Sequence, residues 1–113
     1  LRYELHRVWV VDATLRKGFS HPYDKRRFYV DEDSWSILAV DLFDEKGELI
    51  GLQESHPISY YDVPMFNSTV ETLYHLKDDN YFVDGLDNNE PMYDFSARLG
   101  PRDFSPAALR RGN

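Results

Sequence analysis

Two polar turns, Asp31-Glu32-Asp33-Ser34 and Asp44-Glu45-Lys46-Gly47-Glu48, constrain this chain more than any other feature. The runs they separate, Arg27–Val30, Ser36–Phe43 and Leu49–Leu52, are rich in β-branched and aromatic residues. Turn chemistry at that spacing predicts an antiparallel meander rather than helices.

The same reading extends along the chain. A long first strand is expected over Arg2–Leu15, then a loop at Arg16–Pro22 broken by Gly18 and Pro22. Further strands are expected at Tyr23–Asp31, Trp35–Phe43, Leu49–Ser55, Thr69–Leu76 and Tyr81–Asp84. Between His56 and Ser68 the pattern breaks at Pro57 and Pro64, and Ile58–Val63 reads as a short edge strand. Periodicity is lost from Gly85 to Asn113, except for a short helix at 106–111, with Ser105 as cap, Pro106 in the first turn and Gly112 beyond the end.

Residues 1–113 form a single domain on this reading, mainly β, with 1–84 supplying the strands. A chain of 113 residues is expected to bury roughly two thirds of its unfolded surface. Strands one and three are apolar on both faces, however, whereas a lone antiparallel sheet normally keeps one face wet. Both faces therefore call for cover, from further polypeptide, a second copy or an apolar ligand. Leu1 already heads a strand-like run, which reads as a piece of a longer protein.

Charge and composition narrow the function classes. The formal net charge of −7 opposes a phosphate backbone, and the one basic run, Lys25-Arg26-Arg27, sends alternate residues to opposite faces. Nucleic acid is not an expected partner. The chain has no cysteine, which excludes disulfides, zinc–thiolate sites and thiol nucleophiles. No apolar run approaches the roughly 20 residues that span a bilayer as a helix.

Glu54-Ser55-His56 contains the residue types of a hydrolase triad, but strand neighbours point to opposite faces, so Ser55 and His56 cannot act as nucleophile and base. His6, His21, His56 and His75 are scattered, with no metal-ligand spacing. The stretch from Asp84 to Glu90 is rich in oxygen ligands but lacks the order of a calcium loop and reads as an acidic turn. Asp31, Glu32 and Asp33 read as a solvated hairpin tip. No catalytic residue, metal or cofactor is expected.

Three segments resemble one bacterial family. They are Tyr3-Glu4-Leu5-His6-Arg7-Val8-Trp9-Val10-Val11, Lys25-Arg26-Arg27-Phe28-Tyr29-Val30-Asp31-Glu32-Asp33-Ser34-Trp35 and Phe104-Ser105-Pro106-Ala107-Ala108-Leu109-Arg110-Arg111. Together they are similar to the C-terminal part of domain of unknown function 1329. That family is similar in turn to periplasmic lipoprotein-sorting carriers and outer-membrane lipoprotein receptors. The resemblance implies an incomplete, strongly curved antiparallel β-barrel whose aromatic and aliphatic lining holds lipid chains. It also implies a periplasmic or outer-membrane location in a Gram-negative envelope, an envelope transporter as partner, and no established reaction.

The resulting expectation is a non-enzymatic domain that handles a lipid or other hydrophobe. By strand parity its cavity wall is assigned to Trp9, Trp35, Ile37, Phe43 and Tyr74. The alternative is a structural or dimerisation module without a small-molecule ligand. A homodimer paired through Leu5–Val11 is expected if one apolar face is hidden by self-association.

Overall fold

The computed structural model describes residues 3–111. Six strands form one antiparallel sheet in simple chain order: β1 (Val8–Thr14), β2 (Lys25–Asp31), β3 (Ile37–Phe43), β4 (Leu49–Tyr60), β5 (Met65–His75) and β6 (Asn80–Asp84). The first and last strands do not pair with each other, so the sheet is a curved, unclosed half-barrel. A single 3₁₀ turn, Pro101–Phe104, and a short helix, α1 (Pro106–Arg111), follow the strands. Ser105 caps that helix, its Oγ accepting from Ala108 N at 3.2 Å. Residues 1, 2, 112 and 113, and with them the expected strand start at Arg2 and the helix stop at Gly112, lie outside the described residues.

Both diagnostic turns are built by their first aspartate. Asp44 Oδ1 accepts from Lys46 N and Glu48 N, while Gly47 takes the left-handed φ of +77° that closes the hairpin. Asp31 Oδ2 accepts from Ser34 N at 2.9 Å and from Ser34 Oγ at 2.6 Å, and Trp35 closes that turn at φ +59°.

Three expectations are corrected. The first strand starts at Val8, not near Arg2; residues 3–7 leave the ladder and cross one sheet face instead. The segment around Pro57–Pro64 is not a separate short strand: residues 57–60 are the end of β4, an edge stretch paired with β5 alone, and 61–64 form the turn of the long β4–β5 hairpin. Pro57 is accommodated because β4 pairs with β3 only as far as Glu54, and the β4–β5 register slips at His56/Pro57. A residue without an N–H is tolerated at such an overhang and bulge.

Third, Asp31 is not a solvated tip residue but is 2% exposed. The crossing N-terminal segment covers it: His6 Nδ1 lies 3.0 Å from Asp31 Oδ1, and Glu32 N donates to Arg7 O at 3.2 Å.

The core is thin. Val40 and Leu42 are the buried hydrophobic side chains among the described residues. The accessible surface is 9797 Å², against roughly 6,500 Å² for a compact chain of this size. The radius of gyration is 17.5 Å, where about 13 Å is usual. The chain thus buries about half of its unfolded surface rather than two thirds. The sheet does not close a core of its own.

Candidate functional site

The strand registers line up one row of side chains across the whole sheet: Val11, Phe28, Val40, Gln53, Leu73 and Phe82. Residues directly opposite in adjacent strands share a face. Over the β2–β6 part of this row lies an open hollow of about 450 Å³. That volume falls within the range of small-molecule sites, about 300–1,000 Å³.

Its apolar floor is Phe28, Ile37, Leu38, Val40, Leu73 and Phe82, and Phe82 is 61% exposed. Gln53, Ser55, Glu71 and Asp84 place polar atoms in the same lining. Glu71 and Asp84 are direct cross-strand partners. At the other side the Arg26 guanidinium lies 5.3 Å from the centre of the Phe28 ring.

The opposite face carries the next row, Asp12, Arg27, Asp41, Leu52, Tyr74 and Tyr81. It is polar at the β1–β3 end. Arg27 donates to both oxygens of Asp12, at 2.7 and 3.0 Å, and Lys25 Nζ is 3.0 Å from Asp12 Oδ2. Hydrogen bonds from Arg27 and then Lys25 hold the Asp12 carboxyl well below the usual carboxylate range. Tyr29 OH donates to Asp41 at 2.7 Å, and this bond to a carboxylate raises the phenol. Tyr3, at the start of the crossing segment, sets its ring edge-on to His56 at 6.3 Å, and the nearby Glu54 carboxylate raises its phenol.

The five residues assigned by parity do not meet on one face. Trp9, opposite Val30, lies on the hollow face beside the lining. Ile37 reaches the lining through a bulge: the register slips between Tyr29 and Val30, leaves Leu38 unpaired and sets Ile37 opposite Val30. Phe43, opposite Lys25, and Tyr74, opposite Leu52, lie on the other face, and the Lys25 ammonium sits 5.5 Å from the Phe43 ring centre. Trp35 belongs to the β2–β3 turn and is 72% exposed. Leu73 and Phe82 were missed. Their alternation is legible, but their phase relative to Phe28 and Val40 depends on turn lengths and bulges.

Ser55 and His56 stand on opposite faces. Ser55 Oγ donates to Ser68 Oγ at 2.8 Å, and His56 Nε2 is buried without a hydrogen-bond partner, 3.7 Å from Glu54 Oε2. In the 84–90 turn, Asp84 Oδ1 accepts from Gly85 N and Asp87 Oδ2 from Tyr93 OH. Among the described residues no three His, Asp or Glu side chains converge as a metal site. The hollow is an open apolar floor interrupted by Gln53 in its central row, with Glu54, Ser55, Glu71, Thr72 and Asp84 also in its lining.

An uncharacterized protein of Pseudomonas aeruginosa is 46% identical over 111 residues, covering 97% of this chain and 24% of that protein. This chain therefore spans about a quarter of that relative's length. Two solved structures share the fold. One is a DUF1329 family protein from Desulfovibrio piger, with TM-score 0.60 and 19% identity, covering 90% of this chain and 40% of that one. The other is a proposed outer membrane lipoprotein-sorting protein domain from Vibrio parahaemolyticus, with TM-score 0.56 and 17% identity, covering 92% of this chain and 42% of that one. The family described as protein of unknown function (DUF1329) matches residues 1–110, and the chain belongs to it.

Proposed function

We propose that this chain forms part of the wall of a binding cavity for a lipid or other hydrophobic molecule in a Gram-negative envelope protein, and that it acts as a carrier module rather than an enzyme. The observation that carries this reading is the open apolar floor to which four strands contribute, Phe28 from β2, Leu38 and Val40 from β3, Leu73 from β5 and the exposed Phe82 from β6. Such a contiguous apolar surface on an open sheet is stabilised by whatever covers it. The fold shared with the Vibrio outer membrane lipoprotein-sorting domain supports a carrier, and it supports an envelope location in the periplasm or at the outer membrane.

The test is uptake of a fluorescent fatty acid by delipidated protein. Saturable uptake that is lost in Leu73→Glu, which puts a charge in the centre of the floor, is the expected result. Absence of saturable uptake, or uptake unaffected by Leu73→Glu, would sink the reading. A second reading, a self-associating structural module, is favoured by the exposed β1 edge, where Trp9 and Val10 are each more than half exposed. Copurifying lipid detected by mass spectrometry separates the two.

A further inference from the structure

Residues 98–111 carry chemistry that neither sheet face uses. Arg98, Arg102, Arg110 and Arg111 stand there against one acid, Asp103, in a chain whose formal net charge is −7. Asp103 is already engaged, its Oδ2 accepting from Gly100 N at 2.7 Å. Among the described residues these four guanidiniums form no ion pair, as is also true of Arg16, Lys17, Arg26 and Lys46, whereas Arg7, Lys25, Arg27 and Lys77 each sit on a carboxylate. The 3₁₀ turn and α1 pack on each other and on no strand. Leu99, Phe104 and Leu109 share one open hollow of about 880 Å³ with Arg111, and Leu109 is 85% exposed.

We propose that this segment is a docking surface for an anionic lipid bilayer. Phe104, Leu99 and Leu109 enter the boundary between headgroups and acyl chains, while the guanidiniums engage the phosphates with paired N–H donors. Charge complementarity selects this occupant. Outside this segment acidic residues outnumber basic ones by 19 to nine, so the remainder of the chain is on balance repelled by an anionic surface while this segment is attracted. A folded protein partner needs a matched surface burying on the order of 1,000 Å² or more. Three apolar side chains around one small hollow, Leu99 ahead of the turn, Phe104 on it and Leu109 on the short helix, do not present that, whereas a fluid interface requires no matching relief. This inference is independent of the sheet hollow and goes beyond the ligand-binding reading.

The experiment is cosedimentation of the chain with vesicles of phosphatidylglycerol and phosphatidylcholine, and with vesicles of phosphatidylcholine alone. Binding to the anionic vesicles only is expected, weakening at about 0.5 M salt, where the Debye length is only a few ångströms. Replacing the four arginines by glutamine should lower the partition coefficient about tenfold or more. Phe104→Ser with Leu109→Ser should weaken binding as well, with the strand circular dichroism unchanged because the segment touches no strand. Arg16→Gln with Lys17→Gln, basic residues outside the segment, should leave binding intact. Equal binding to neutral vesicles, no binding to anionic ones, or an equal loss in the Arg16/Lys17 variant would overturn the proposal.

Discussion

His6 Nδ1 lies 3.0 Å from Asp31 Oδ1, joining a residue of the N-terminal segment to the carboxylate that builds the β2–β3 turn. Asp31 accepts from Ser34 Oγ and Ser34 N as well, and these bonds, followed by the one to His6, lower its carboxyl from the ordinary value despite burial. A carboxyl with a lowered folded value stabilises the fold at pH above the usual carboxylate range. That contribution fades as pH falls through the lowered value. Asp31→Asn should therefore lose about 2 kcal/mol at neutral pH, the scale of charge-assisted hydrogen bonds to a buried group. Urea midpoints of both proteins across pH 7 to 2 should converge toward acid; a constant gap would refute the assignment.

Leu42 is fully buried in an otherwise thin core, set between Arg26 and Gly51 in the neighbouring strands. Leu42→Ala should cost about 2–4 kcal/mol in urea unfolding. Ile37→Ala, at a half-exposed position in the open hollow, should cost less than about 1 kcal/mol, because most of the lost area was already in water. The two substitutions separate folding from binding. Ile37→Ala is expected to weaken uptake of the fluorescent fatty acid while leaving the unfolding midpoint nearly unchanged.

Gly85 marks the point where the chain leaves β6, and its φ is +78°. A Cβ there would meet the Thr69 carbonyl oxygen at 2.2 Å. Gly85→Ala combines left-handed strain with a backbone collision and should destabilise by about 2 kcal/mol or more. The displaced tail should loosen the cluster in which Tyr60 meets Phe95 at 5.1 Å and Tyr93 at 6.4 Å. Faster amide exchange in β5 and enhanced Tyr93 accessibility are the measurements.

Strand existence was legible because local chemistry decides it. Asp44 and Gly47 sit where a tight turn needs them, and Ser105-Pro106 starts the helix as a capped segment should. Face assignment was not, because it depends on non-local register. A slip at Tyr29/Val30 turns Ile37 toward the hollow, while Phe43, in the regular part of the β2–β3 ladder, stays opposite Lys25 on the other face. Trp35 kept strand parity on paper but is consumed by its turn. Burial of Asp31 was equally hidden, since it depends on His6, which is remote in sequence. Pro57 did mark an edge, but not a separate strand: β4 is central as far as Glu54 and lacks its β3 partner beyond it.

β1 is the open edge with the least protection against pairing. Its seven residues contain no proline, no lysine and no bulge, and its one charge, Asp12, is turned to Arg27 and Lys25 rather than outward. Edge strands of that kind are templates for further pairing, whereas β6 is short and carries Asp84. The expected outcome is a homodimer at micromolar concentration with an interface that includes Leu5–Val11 and buries on the order of 1,000 Å² or more. Sedimentation velocity checks it. Val10→Lys, which places an unpaired charge on the edge strand, should return the protein to monomer without changing its circular dichroism. A monomer at all concentrations would show that the β1 edge stays open in this chain, and that its apolar side chains face solvent or ligand rather than a second copy.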